Sequence, residues 1–115
     1  MNFAEFKAGD PARSMFRKMR LSEYLEAATS WRMLRHLIVD FNKPDEGNFV
    51  KIARRCNGVC SSGEQILLRA ILCVTDFAWL ADELDKADER GTWQQFSRVS
   101  GDFRRAVSAC IEADL

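Results

Sequence analysis

Residues 61–86 have the sequence SSGEQILLRAILCVTDFAWLADELDK, and this stretch decides the fold. Ser61 and Glu64 form the S-x-x-E pattern of a capping box, which predicts a helix that begins at residue 62. The stretch contains no proline, and its apolar residues recur at helical spacing. We therefore expect one long helix over residues 62–86. Its main apolar face consists of Ile66, Leu67, Ala70, Ile71, Val74, Phe77, Ala78, Ala81 and Leu84.

A second apolar stripe lies on the far side of the same predicted helix, at i, i+4, i+7 and i+11 from Leu68. A helix that is apolar nearly all round must be buried on several sides, so one interpretation makes it the central helix of a bundle. In the other interpretation the stripe is exposed and binds a partner protein or a second copy, because contiguous apolar patches mark interaction sites. The predicted partner-binding residues are Leu68, Leu72, Trp79, Arg69 and Asp76.

The rest of the chain predicts four further helices, with Asp10 and Pro11 starting the first of them. The T-x-x-Q pattern of Thr92 and Gln95 starts the last one. We expect an all-α fold: a single domain over residues 1–115, built as a compact bundle of about five helices, three long and two short. Residues 1–9 are expected to be loosely ordered. The predicted helices are 10–20, 22–41, 46–56, 62–86 and one from residue 92 onward.

The composition is that of a folded protein with no net charge. Hydrophobic residues make up 47% of the 115 residues, and seventeen Lys and Arg balance seventeen Asp and Glu. Zero net charge argues against a protein that coats nucleic acid or an anionic membrane. The balance is uneven, because residues 1–60 hold eleven basic against seven acidic residues and residues 61–115 hold six against ten.

The sequence contains no recognisable catalytic, cofactor or metal site. His36 is the only histidine, and at helical spacing it lies between Arg32 and Asp40 in a polar stripe. Cys56 and Cys60 have C-x3-C spacing but lack a second ligand pair, so all four cysteines are expected to be reduced thiols. We expect a cytoplasmic protein without a membrane span, since no secretory signal is visible and charges interrupt the apolar stretch 66–84.

Residues 51–69 resemble the helix-turn-helix of bacterial repressors. Ala53, Gly58, Val59 and Ser61 stand where that family has a helix alanine, a turn glycine, a hydrophobic residue and a serine cap. The Ala–Gly and Val–Ser gaps are each one residue longer than in the family. The resemblance implies that the helix from residue 62 would read base edges while the preceding helix contacts phosphates. The implied DNA-binding residues are Lys51, Arg54, Arg55, Gln65 and Arg69.

Three functions remain open from the sequence. The first is a non-enzymatic helical protein that binds another protein or itself, such as an adaptor, a regulator or a phage or mobile-element inhibitor of a host complex. The second is a DNA-binding transcriptional regulator. The third is an enzyme or ligand carrier with a pocket between its helices. The residues expected to line that pocket are Trp31, Phe77, Phe96 and Phe103.

Overall fold

The computed structural model describes residues 1–88, 96, 99 and 101–114, which form eight α-helices and no strand. The all-α prediction is confirmed, whereas the count of about five helices is wrong because the predicted helices 22–41 and 62–86 are both divided and a further helix lies within residues 1–9. The helices are α1 (Phe3–Ala8), α2 (Asp10–Lys18), α3 (Ser22–Ala27), α4 (Trp31–Asn42), α5 (Asn48–Val59), α6 (Ser62–Val74), α7 (Ala78–Ala87) and α8 (Gly101–Asp114).

Helix α6 is the centre of the molecule. It packs most extensively against α8 and α7, and it also contacts α2 and α5. All seven residues from 66 to 72 are buried, including Arg69. Its N-terminus is the predicted capping box, in which the Ser61 amide donates to Glu64 Oε1 at 2.9 Å and the Glu64 amide donates to Ser61 Oγ at 3.4 Å. The central position predicted for this helix therefore holds for its first half.

The single helix predicted over residues 62–86 is wrong, because the chain turns sharply at residues 75–77. The Thr75 hydroxyl donates to the Ile71 carbonyl at 2.7 Å, which competes with helix continuation. Asp76 adopts a left-handed backbone with φ 76°, and the Phe77 amide then donates back to the Leu72 carbonyl at 2.8 Å. The buried Phe77 ring packs on Phe49 with a centroid distance of 5.0 Å, so tertiary packing fixes the break.

The helix predicted over residues 22–41 is also divided. Ala28 is extended, and Ser30 caps a new helix because its hydroxyl accepts the Met33 amide at 3.1 Å. Lys7 Nζ donates to the carbonyls of Glu26 and Ala28 at 2.6 and 2.8 Å, so a cation from α1 satisfies the C-terminus of α3.

The N-terminal segment contains helix α1, and the looser order expected for residues 1–9 stays a prediction. Asn2 and Glu5 form a capping box for α1. Phe3 and Phe6 are buried, and their rings lie 5.0 and 4.6 Å from the Trp31 ring. Capping and aromatic burial thus hold α1 against α4.

Helix α5 begins with a cap supplied from a distance. The buried Asn42 Oδ1 accepts the amides of Phe49 and Val50 at 2.9 and 3.1 Å. The helix continues through Asn57 and Gly58, where the sequence had predicted a stop near residue 56. The predicted helix start at Thr92 and Gln95 lies outside the described residues. No helix in the described part of the chain is both long and apolar enough to span a bilayer.

Candidate protein interaction surface

Helix α7 presents an exposed tryptophan surrounded by carboxylates. Trp79 is 53% exposed and is the largest exposed apolar side chain among the described residues. Asp82 and Glu83, which are exposed, lie one helical turn further along the same face. Asp76, also exposed, lies two residues before the helix. We call Asp76, Trp79, Asp82 and Glu83 the α7 surface.

The opposite face of α7 anchors this surface to the rest of the molecule. Leu80, Ala81 and Leu84 are buried in the core. Because helical spacing separates these residues from Trp79 and Asp82, burying one face leaves the other in solvent. The left-handed turn at Asp76 sets the direction in which α7 leaves α6.

Two charged contacts hold α7 in place. Arg54 on α5 makes two parallel hydrogen bonds to Glu83, from Nε to Oε2 and from Nη2 to Oε1, each 3.0 Å long. Arg69 on α6 donates to Asp85 Oδ1 at 3.3 Å and to Asp88 Oδ2 at 3.4 Å, with a side chain only 3% exposed. Arg54 and Arg69 contact different carboxylates of this segment, which restrains the rotation of α7 about its own axis.

Several carboxylates lie on or near the α7 surface. Burial raises the pKa of the Cys73 thiol, and the nearby carboxylates of Asp114 and Asp82 raise this pKa further. Asp82 on α7 and Asp114 at the C-terminal end of α8 therefore both lie near the Cys73 thiol. The hydrogen bonds from Arg54 lower the pKa of Glu83, which keeps this carboxylate ionised.

The structure separates the five residues predicted to bind a partner. Leu68 and Leu72 have no exposed surface and Arg69 is 2% exposed, so none of the three is accessible to a partner. Trp79 and Asp76 are exposed and lie on the α7 surface. The predicted stripe assumed a straight helix, and the turn at residues 75–77 places its two ends in different environments. A partner-binding role for Trp79 and Asp76 stays a prediction.

The five DNA-binding residues implied by the helix-turn-helix resemblance also differ in their exposure to solvent. Lys51, Arg54 and Arg55 are exposed on α5, although Arg54 is engaged with Glu83. Gln65 Nε2 donates to the Asn57 carbonyl at 3.0 Å, and Arg69 is buried. A recognition helix must offer such side chains to a groove, whereas α6 is enclosed by other helices.

The four aromatic residues expected to line a pocket have different partners among the contacts of the described residues. Trp31 packs with Phe3 and Phe6, whereas Phe77 packs with Phe49. Phe96 lies under the Arg104 guanidinium at 5.1 Å, and Phe103 is half-buried.

The remaining candidates for chemistry are isolated. His36 is exposed on α4. Cys56 and Cys60 are free thiols with their Sγ atoms 3.4 Å apart, and burial, followed by the contact with Cys56, raises the pKa of Cys60 to about 12. Among the described residues no group of three or more His, Cys, Asp or Glu side chains could hold a metal ion.

A cavity of about 340 Å³ between α2, α3, α4 and α5 was not predicted from the sequence. Its lining includes Lys18, Arg20, Tyr24 and Arg55, which come from different elements and have no motif in common. Only the turn between α2 and α3 brings Arg20 to this cavity, and its sequence contains no glycine that would have indicated a turn.

Comparisons with protein family models, curated proteins and solved structures find no match to this chain. The function of the α7 surface is therefore inferred from the chemistry of its own residues.

Proposed function

We propose that the protein is a non-enzymatic binding protein and that the α7 surface is where it binds another protein. The observation that carries this proposal is the exposed Trp79, which stands among carboxylates on a helix held by two arginine contacts. The partner presents a basic surface with an apolar pocket for the indole. An adaptor, a regulator or a phage or mobile-element inhibitor of a host complex would act in this way.

The indole supplies the affinity. Tryptophan is among the residues most enriched at the energetic centre of interfaces. A tryptophan side chain buries 150–250 Å², so covering its exposed half at about 25 cal/mol per Å² gives roughly 2–3 kcal/mol. The rotation of α7 is restrained by Arg54 and Arg69, so little ordering cost is incurred on binding.

The carboxylates supply the selectivity. Asp76 and Asp82 lie three residues before and three residues after Trp79 and form no salt bridge with a described residue. Such charges speed the encounter with a basic surface and disfavour acidic ones, and salt screens their effect.

Affinity capture from a lysate of the native host, with mass spectrometry, tests this proposal. We expect a specific partner that is retained by the wild type and by Val39→Ala, a matched control because Val39 is 36% exposed on the separate helix α4. Trp79→Ala should weaken binding to the purified partner by about 30-fold or more, corresponding to about 2 kcal/mol. Asp82→Lys should weaken it most at low salt.

Two results would overturn the proposal. One is a partner that binds Trp79→Ala and Val39→Ala equally well. The other is light scattering that shows a homodimer which Trp79→Ala dissociates, because the α7 surface would then be occupied by a second copy of the chain.

A further inference from the structure

The cavity between α2, α3, α4 and α5 is partly open to solvent, and its interior combines polar and apolar lining at ordinary ligand-site dimensions. Its volume is about 340 Å³, within the roughly 300–1,000 Å³ of small-molecule sites. Tyr24 and Phe41 contribute two half-buried rings, 5.1 Å apart and inclined at 52°. The rest of the apolar lining consists of Met19, the almost completely buried Leu21, Ile52, Cys56 and Val59. A flat apolar group would find aromatic and aliphatic contacts here.

Basic side chains surround this interior. Lys18, Arg20 and Arg55 line the cavity, against the single carboxylate of Glu23. Lys18 is engaged by Glu64, whereas Arg20 and Arg55 are exposed and form no salt bridge within the described part of the chain. Guanidinium groups bind carboxylate, sulfonate and phosphate through paired N–H donors.

Arg20 occupies a backbone conformation that an arginine rarely adopts. Its φ is 59°, in the left-handed region that favours glycine. The Arg20 amide donates to the Arg17 carbonyl at 3.0 Å and the Leu21 amide donates to the Phe16 carbonyl at 2.8 Å, which together form a Schellman motif at the end of α2. A glycine would satisfy the same hydrogen bonds without the steric cost of a β-carbon. Strained residues of this kind concentrate at ligand-binding positions.

We propose that this cavity binds a small organic anion that carries an aromatic body and a carboxylate, sulfonate or phosphate group. The aromatic body lies against Tyr24 and Phe41, and the anionic group is held by Arg20 and Arg55. This site is distinct from the α7 surface and does not depend on a protein partner.

Titration with 8-anilinonaphthalene-1-sulfonate, an aromatic sulfonate whose fluorescence rises in an apolar site, tests the proposal. We expect saturable binding to one site on the folded wild type. Arg20→Ala and Arg55→Ala should each weaken this binding about tenfold or more, the value expected for a lost hydrogen bond to a charged group. Arg17→Ala is the matched control, because Arg17 is an exposed arginine on α2 that does not line the cavity.

Arg20→Gly separates loss of the site from loss of the fold. It removes the guanidinium and relieves the left-handed strain, so we expect weaker binding of the probe together with a melting temperature at or above that of the wild type. Trp79→Ala should leave the affinity for the probe unchanged, which distinguishes this cavity from the α7 surface. Absence of saturable binding, or equal affinities of the Arg20→Ala and Arg17→Ala variants, would overturn the proposal.

Discussion

Asn42→Ala removes the one side chain that caps α5. The N-cap position of this helix is Gly47, which has no side chain to accept a hydrogen bond. Asn42 Oδ1 replaces it by accepting the amides of Phe49 and Val50 at 2.9 and 3.1 Å. Phe49 has no exposed surface and Val50 is 8% exposed, so water cannot readily replace the lost acceptor.

The size of the effect follows from this burial. Loss of an N-cap side chain costs about 1 kcal/mol in typical helices and up to about 2. A buried amide left without an acceptor costs about 1–3 kcal/mol. With two amides affected, we expect the free energy of unfolding to fall by about 3 kcal/mol. This is a large part of the 5–15 kcal/mol typical of a folded domain.

Urea denaturation followed by far-ultraviolet circular dichroism measures this change. With a denaturant slope of about 1.5 kcal/mol per M, the midpoint should fall by about 2 M. Asn48→Ala is the control, because Asn48 lies at the same end of α5 and its Nδ2 donates to Glu46 at 3.0 Å and to the Phe41 carbonyl at 3.5 Å without accepting an α5 amide. If both variants lost the same stability, Asn42 would have no special capping role and the reasoning would be refuted.

Three further predictions concern charge and thiol chemistry. Burial raises the pKa of Glu64, but the hydrogen bonds from Lys18 and Ser61 have a larger combined effect, so the pKa lies below its ordinary value. The stability that the ionised carboxylate contributes is therefore lost as the pH falls through this lowered pKa. Glu64→Gln keeps a capping-box side chain, so between about pH 5 and pH 3 its melting temperature should fall less than that of the wild type. An equal fall in the two melting temperatures would contradict this prediction. The salt bridge between Arg54 and Glu83 is exposed, so the melting temperatures of Arg54→Ala and the wild type should converge at high salt. The Debye length in 1 M salt is about 3 Å, so a difference in melting temperature that persisted there would contradict a screened surface contact. Burial raises the pKa of Cys110, so this thiol should react with a disulfide reagent at pH 8 only after the protein unfolds. Mass spectrometry of labelled peptides measures this reaction, and labelling of Cys110 in the folded protein would contradict its burial.

Local signals predicted the parts of the fold that local chemistry determines. The capping box of Ser61 and Glu64 set the start of α6 correctly, and the density of apolar residues after it predicted a helix buried on several sides. The capping box and the apolar pattern each depend on residues that are close together in the sequence. No distant contact was needed to recognise them.

The predictions of helix bounds were wrong where contacts between residues far apart in the sequence determine the structure. The turn at Asp76 contains neither glycine nor proline, and it is fixed by the Thr75 hydroxyl and by packing of Phe77 on Phe49, which is far away in the sequence. A helical wheel drawn through this turn assigned Leu68 and Trp79 to one stripe, although one is buried in the core and the other is exposed. The capping of α5 by Asn42 was missed for the same reason.

The structure also changes the meaning of the zero net charge. Lys18 and Arg54 from the basic half pair with Glu64 and Glu83 from the acidic half, so part of the opposite charge is used to connect the two halves. These pairs leave unpaired arginines at the cavity and unpaired carboxylates beside Trp79, within the described residues. Because the two sites have opposite charge, a basic protein and a small anion would compete little with each other.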